Sequence, residues 1–225
     1  MLRTAKAKPS LAGEPRRRKA PPRARRSPYH HGSLRTALLD CAERILQENG
    51  IQGLTLRAAA REAGVSHAAP KNHFGDLSGL LSELAARGYK RFLAMMLEKV
   101  RETHTPAQRI QAIGRGYVAF ARAHPNMFML MFRSERLDMN RPMLRDAAHR
   151  AARVLADAVA ARRKENVEKL LTLSQAADIV AAWSLVHGFA VLLLDRRLDF
   201  IVARTQTGTT ADKLLEAILI IDRRA

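Results

Sequence analysis

The residues best suited to specific recognition lie in one short polar stretch, Ser66–His73, which reads SHAAPKNH. Lys71 carries a positive charge, and the amide of Asn72 both donates and accepts hydrogen bonds. Ala68 and Ala69 allow close approach of a backbone, and their methyl groups suit the thymine methyl. On one short helix these groups match DNA, where asparagine reads adenine and lysine reads guanine or phosphate. The stretch therefore indicates noncovalent recognition of nucleic acid rather than catalysis.

The elements around this stretch predict a helix-turn-helix. Thr55 is expected to cap a short second helix that ends near Ala63, and Gly64–Ser66 forms the turn. Ser66 is expected to cap the third helix, which runs to about Phe74. Two short helices joined by a glycine turn form the motif whose second helix enters the major groove.

The rest of the sequence predicts an all-α protein of about nine helices, because apolar residues recur at helical spacing without strand alternation. Ser33 is expected to cap the first helix and Gly50 to end it. Ser174 is expected to cap the eighth, which is apolar on nearly every side and must be buried by other helices or another subunit. The other predicted helices span about 76–101, 105–124, 126–132, 142–164 and 212–222.

The charge of the chain favours an anionic partner. It has 225 residues, a formal net charge of +18 and a pI near 11.3, which suits nucleic acid or a membrane surface. The longest apolar run, Ala181–Leu194, has 14 residues, fewer than the roughly 20 that span a bilayer. The first residues lack the apolar core of a signal peptide. We therefore expect a soluble, cytoplasmic protein without a membrane partner.

Residues 1–28 are predicted to form a disordered basic tail. They hold ten Lys and Arg residues against one acid, Glu14, and too few apolar residues to offset the entropy of ordering. Two interpretations remain open. The tail is either a solubilising leader, including residues upstream of the true start, or a basic arm that adds to DNA affinity.

Three segments resemble the tetracycline-repressor (TetR) family of regulators. In Leu38–Leu81, the dipeptide NG, the segment LTLRAAAREAGVS and the later HF follow one another at the spacings of that family's DNA-binding domain. Tyr117–Phe132, YVAFARAHPNMFMLMF, and Trp183–Asp195, WSLVHGFAVLLLD, resemble the branch with a Trp-His-Gly C-terminal domain. Together the similar segments cover most of residues 30–200.

The resemblance implies an all-helical homodimer with two domains. A helix-turn-helix DNA-binding domain is expected over 29–92, and an effector-binding and dimerisation domain over 93–225. Thr55 and His73 match positions that hold phosphate, whereas Arg57, His67, Ala69 and Asn72 match positions near bases. The full set of predicted DNA-binding residues is Thr55, Arg57, Ser66, His67, Ala68, Ala69, Lys71, Asn72 and His73.

The sequence departs from the family pattern in two places at this site. Lys71 stands where the family usually has tyrosine, so a flexible cation replaces an aromatic contact. Leu77–Ser78 stand where the family usually has Lys-Glu, so the customary phosphate-binding lysine is missing. Lys71 and the basic tail are candidates to restore that charge.

The resemblance also predicts a small-molecule site and a dimer interface. An apolar effector is expected between the fourth and eighth helices, bound by Tyr117, Phe128, Met131, Trp183 and His187. His187 is either a satisfied buried histidine or a polar contact in the pocket. The eighth and ninth helices are expected to pair with a second copy, because the ninth carries the apolar run LLEAILII at the chain end.

Other kinds of site are not predicted. His30–His31 lack cysteine or acidic partners at metal-ligand spacing. Gly114-x-Gly116 lacks the strand and the further glycine of a dinucleotide site. Cys41 lies on the apolar face of the first helix and is interpreted as a small core residue. We therefore expect no metal, no cofactor and no enzymatic activity.

These patterns favour a ligand-responsive transcription regulator. We expect a repressor that a small apolar effector releases from a palindromic operator in double-stranded DNA. Two alternatives remain. One is a basic architectural protein that coats DNA without sequence preference, and the other is a helical small-molecule-binding protein whose DNA-binding domain no longer functions.

Overall fold

The computed structural model describes residues 31–132, 134–165 and 170–221, so the predicted tail at 1–28 lies outside the described residues. Over these ranges the chain is all-helical, which confirms the predicted fold class. The described residues form ten α-helices rather than nine, because a short helix after the eighth was not predicted. They are α1 (His31–Gly53), α2 (Leu56–Glu62), α3 (Ala69–Phe74), α4 (Leu77–Val100), α5 (Pro106–Ala123), α6 (Pro125–Met131), α7 (Pro142–Arg163), α8 (Leu173–Leu194), α9 (Asp199–Ala203) and α10 (Ala211–Ile221).

The start of α1 differs from the prediction, whereas the position of its interruption agrees with it. The helix begins at His31, so Ser33 lies inside its first turn and the predicted N-cap is wrong. Gly50 interrupts the helix with φ 67°, as its position predicted, and a last helical segment follows to Gly53. This left-handed backbone is accessible to glycine without steric cost.

Two further predicted caps are wrong by two residues. The N-cap of α3 is Ala68 rather than Ser66, and its side chain makes no capping hydrogen bond. Pro70 stands within the first turn, where its fixed φ suits a helix start. The N-cap of α8 is Thr172 rather than Ser174, since Thr172 and Gln175 form a reciprocal capping box.

The first three helices pack around a small core that α4 completes. Leu38, Leu46 and Leu54 are fully buried, and Phe74 carries the end of α3 into the same core with 2% exposure. Ion pairs fasten α4 to α1: Arg87 reaches Asp40 at 2.5 Å, and Arg91 reaches Glu43 at 2.5 Å. The predicted domain boundary at 92–93 falls inside α4, so this helix links the two parts of the fold rigidly.

In the C-terminal part, α5 and α7 pack against α4, and α8 packs against α5 and α7. Phe120, Phe128 and Leu144 are fully buried at its centre. Gly116 allows close approach of α5 to α4, because a Cβ there would lie 2.7 Å from the Met96 Cα. Cys41 is also a core residue, as predicted, and burial raises the pKa of its thiol.

α8 is the least buried long helix. It spans 22 residues, and an 18-residue window within it has a mean hydropathy of 1.9. By length and composition the helix could cross a membrane, although only 22% of that window is buried inside the protein. Its predicted burial is not achieved by the other helices of the same chain, because Val180, Trp183 and Leu192 are exposed. Asp178 on the same helix forms an ion pair with Arg163 at 2.6 Å.

α10 packs on its own chain more fully than its sequence suggested. Leu215 and Leu219 are buried, and Leu219 lies so close to Gly114 that a Cβ there would be 2.6 Å from it. Two ion pairs add to this contact: Arg115 with Glu216 at 2.6 Å and Arg122 with Asp212 at 2.7 Å. The apolar run therefore serves mainly the packing against α5, and only Ile220 of its described side chains is a large exposed apolar residue.

Candidate DNA-binding and ligand-binding sites

The helix-turn-helix is formed by α2, a tight turn and α3. The Thr55 Oγ1 accepts a hydrogen bond from the Ala58 amide at 3.0 Å and caps α2, as predicted. Gly64 makes the turn with φ 64°, a left-handed conformation that favours glycine. Ala60 is fully buried beneath the hairpin, and its carbonyl accepts a hydrogen bond from the Val65 amide at 3.0 Å.

The predicted DNA-binding residues lie together on the outer surface of this hairpin. Those that are solvent-exposed are Thr55, Arg57, Ser66, His67, Ala68, Lys71 and Asn72. Ala69 and His73 are half-buried, because α3 turns these positions towards the rest of the domain. The geometry leaves the base-reading and phosphate-binding groups accessible, while their contacts with DNA stay predictions.

The surface of the hairpin is electropositive. Residues 55–75 hold the cations Arg57, Arg61 and Lys71 against one carboxylate, Glu62. Glu62 is already paired with Arg44 of α1 at 3.2 Å. The exposed face therefore keeps a net positive charge, which suits a polyanion.

The end of α3 is held by the helices beneath it. Phe74 is buried in the core, and the guanidinium of Arg35 lies 5.2 Å from its ring centroid. The Arg35 Nη1 also donates a hydrogen bond to the His73 carbonyl at 3.0 Å. The same side chain forms an ion pair with Glu83 of α4, which is 5% exposed. The orientation of α3 is thus tied to α1 and α4.

A cavity of about 280 Å³ lies between α4, α5, α7, α8 and α10. Its walls are apolar, and within the described part of the chain no Asp, Glu, Lys or Arg lines it. The polar groups among its walls come from two tyrosines, one tryptophan and His149, which is exposed. Such a cavity suits an uncharged, mainly apolar molecule.

The hydroxyl of Tyr117 organises the polar side of this cavity. It lies 2.7 Å from the His187 Nδ1, and it accepts a hydrogen bond from the Trp183 Nε1 at 3.2 Å. Burial lowers the pKa of His187, so its ring is neutral near pH 7 and its Nδ1 can accept the Tyr117 proton. Burial raises the pKa of Tyr117, which keeps its hydroxyl protonated.

Tyr89 closes another part of the wall. Its hydroxyl donates a hydrogen bond to the Met131 carbonyl at 3.1 Å, and burial raises its pKa to about 12. With both tyrosine protons engaged, the hydroxyls offer a ligand only acceptor lone pairs. A ligand group that requires a donor has His149 as its partner among the wall residues.

The structure divides the five predicted ligand-binding residues. Tyr117 and Trp183 line the cavity, whereas Phe128, Met131 and His187 do not. Phe128 and Met131 are buried, and the His187 ring stacks on Phe128 at a centroid distance of 5.6 Å. These three residues therefore support the wall from behind. Wall residues that sequence reasoning missed include Phe92, Ile113, Ala151, Leu155, Val186 and Leu219.

The chain is similar to known regulators along most of its length. Residues 110–218 match the family described as "Tetracyclin repressor-like, C-terminal domain". The HTH-type transcriptional repressor AcnR of Corynebacterium glutamicum is 28% identical over 193 residues, which cover 84% of this chain and 90% of that protein. The uncharacterised HTH-type transcriptional regulator YobS of Bacillus subtilis is 26% identical over 97 residues, and the chain spans half of its length.

Solved structures show the same fold. A protein of unknown function from Rhodococcus sp. RHA1 is 33% identical, with a TM-score of 0.71 over 88% of this chain and 98% of that one. The regulator FadR of Bacillus subtilis, solved in complex with stearoyl-CoA, has a TM-score of 0.59 at 14% identity, over 83% of this chain and 96% of that one. At this low identity, the similarity to FadR shows a shared fold and nothing further.

The fold and its surfaces define a helix-turn-helix DNA-binding protein whose remaining helices enclose an apolar cavity. The family match, the relatives and the fold all point to the same class of regulator. The chain belongs to the tetracycline-repressor family of transcription regulators, which are not enzymes. The Trp-His-Gly branch is not named by these matches and stays a prediction.

Proposed function

We propose that the chain is a cytoplasmic, ligand-responsive repressor, which leaves a palindromic operator when a small apolar effector fills its cavity. One observation carries the proposal: an exposed, basic helix-turn-helix is joined by α4 to an uncharged cavity. Residues 29–92 act as the DNA-binding domain and residues 93–225 as the effector and dimerisation domain, with α4 shared between them. A ligand that favours one arrangement of these helices changes DNA affinity.

Sequence-specific reading is assigned to α3. The exposed side chains of Asn72 and His67 face base edges, while Thr55 and Lys71 meet phosphates. Asn72→Ala then relaxes preference at one base pair by about 1–3 kcal/mol. The test is competition between operator and random duplexes. Equal loss of affinity for the operator and for random duplexes would mean that Asn72 contacts the DNA backbone, and would remove this part of the proposal.

The uncovered face of α8 supports a homodimer. Leu173 is 88% exposed and Trp183 46%, and Phe200 of the neighbouring α9 is 61% exposed. Large apolar side chains left exposed on one long helix and its neighbour mark an interaction surface. A second copy would cover it and present two α3 helices to half-sites about 34–36 Å apart or somewhat more. Sedimentation at micromolar concentration tests this, and a stable monomer would contradict it.

The effector is assigned to the cavity. Among the described residues no charged group lines the cavity, which favours a neutral, largely apolar molecule with one hydrogen-bonding group for His149. Trp183 lines the cavity and is the sole tryptophan, so its fluorescence reports occupancy. Saturable binding that leaves Trp183 emission unchanged would move the site elsewhere.

Repression rather than activation is proposed from similarity. The relative AcnR is a transcriptional repressor, and it aligns with 84% of this chain. A reporter gene placed behind a DNA site that the protein binds distinguishes the two. Supplying the protein lowers expression if it is a repressor and raises expression if it is an activator.

A further inference from the structure

We propose that Arg141 is a positioning residue for the recognition helix α3, and that Met139 beside it transmits the state of the cavity to Arg141. The inference rests on the proposed function, because it concerns how the cavity and the DNA surface communicate. Arg141 stands immediately before α7, 67 positions after the end of α3. Nothing in its local sequence marks it as part of a DNA-binding surface.

Arg141 binds the last carbonyl of α3. Its Nη2 donates a hydrogen bond to the Phe74 carbonyl at 3.1 Å. The last carbonyls of a helix have no partners within the helix, and they carry the negative end of its dipole, so a guanidinium is favoured there. Arg35 holds the preceding carbonyl, that of His73, at 3.0 Å. Two arginines from different parts of the chain thus fix the end of a six-residue helix.

Glycine at position 79 makes room for this contact. A Cβ there would lie 2.5 Å from the Arg141 Nη2 and 2.0 Å from the Phe74 carbonyl oxygen. The guanidinium, the α3 terminus and the first turn of α4 therefore touch without spare space. The Arg141 Nε is buried and makes no hydrogen bond among the described residues, although the Asp138 Oδ2 lies 3.4 Å away. A buried donor without an acceptor is costly, so the Phe74 contact and the ion pair with Asp138 must hold the side chain in place.

The same short segment forms part of the cavity wall. Met139, two residues before Arg141, lines the cavity. One residue before Met139, the Asp138 amide donates a hydrogen bond to the Oγ of Ser82, a fully buried residue of α4, at 2.8 Å. A ligand that displaces Met139 moves a segment that is attached to both α4 and the end of α3. The occupied and empty cavities then favour different positions of the recognition helix.

The first test compares three variants on DNA selected for binding and on random DNA. R141M removes the charge and the donors but keeps an unbranched, flexible side chain, while R141K keeps the charge and one donor group. R145M is the matched control, because Arg145 is exposed in the first turn of α7 and its ion-pair partner among the described residues is Asp146, at 4.0 Å. We expect R141M to lose about tenfold on selected DNA, the scale of one charge-assisted hydrogen bond, and about twofold on random DNA. R145M should lose equally on both, and R141K should recover part of the preference.

Equal losses for R141M and R145M, with preference intact in the wild type, would overturn this inference alone. A wild type without any sequence preference would overturn the proposed function and this inference together. If R141M fails to fold by circular dichroism, R141K decides: it must fold and show a preference below that of the wild type.

The second test joins the two ends of the segment. M139A should change affinity for selected DNA in the wild-type background and have little effect in the R141M background, because the signal passes through Arg141. A double-mutant cycle measures this directly. Additive effects of M139A and R141M would show that the cavity wall and the α3 contact act independently, and would overturn the transmitting role.

Discussion

Substitution of Gly79 by alanine is the sharpest perturbation of the junction between α3 and α4. The added methyl would lie 2.0 Å from the Phe74 carbonyl oxygen, where real Cβ contacts stay beyond 3.0 Å. The carbonyl or the helix must therefore shift by 3.0 − 2.0, or 1.0 Å. The Arg141 guanidinium, 2.5 Å from the same point, must move as well. A shift of this size breaks the Arg141 hydrogen bond to the end of α3.

The expected magnitude follows from three opposing effects. Overpacking costs about 1–3 kcal/mol, and loss of a hydrogen bond from a charged donor costs about 1.5–3 kcal/mol. Alanine is favoured over glycine in a helix by about 1 kcal/mol at most, and less in the first turn. We expect Gly79→Ala to lower the free energy of unfolding by about 2–4 kcal/mol. Binding to selected DNA should fall further than binding to random DNA, since α3 is displaced but its charge is unchanged.

Urea unfolding followed by far-UV circular dichroism, together with DNA titration, measures both effects. Ser78→Ala is the control, because it introduces the same residue one position earlier in the same turn. It should change the free energy of unfolding by less than about 0.5 kcal/mol. A Gly79→Ala protein with wild-type stability and wild-type DNA preference would refute the reasoning about this junction.

Three further predictions concern the cavity, pH and the tail. Tyr117→Phe leaves the His187 Nδ1 without its partner at 2.7 Å and should lower the free energy of unfolding by about 1–3 kcal/mol, measured in urea; no loss would mean that water replaces the hydroxyl. Burial depresses the pKa of His187 below its ordinary 6.5, so the unfolded state takes up the proton first as pH falls. Stability should therefore decline as pH falls through 6.5, and the decline should be smaller in His187→Asn; identical slopes would contradict this. Deleting residues 1–28, with their ten cations, should reduce the slope of log K against log salt by about 3–4 if about four of them meet phosphates, while an unchanged slope would leave the tail without a part in binding.

The DNA-binding surface could be predicted from sequence because its signals are local. Gly64 marks the turn, Thr55 marks the start of α2, and the polar residues of α3 follow within a few positions. The start of α3 was misjudged because Ser66 is a good capping residue, whereas Pro70 fits the first turn of a helix that begins at Ala69. The start of α8 could have been placed correctly, since Thr172 and Gln175 have the spacing of a capping box.

The cavity could be predicted only in part, because its walls come from helices far apart in the sequence. Tyr117 and Trp183 were found through a family pattern, but Ala151 and Leu219 carry no local sign that they face empty space. Burial of α10 also depends on Gly114, which admits Leu219 only once α5 and α10 have met. Arg141 was missed for the same reason, since its partner Phe74 lies 67 positions away.

A footprint of the purified protein on its own upstream DNA, repeated with Asn72→Ala, tests the central claim most directly. We expect a twofold-symmetric protected site with half-sites about 34–36 Å apart or somewhat more, and weaker protection of one base pair in each half-site for the variant. Uniform coverage without boundaries, unchanged in the variant, would contradict the account and favour a protein that coats DNA through charge alone.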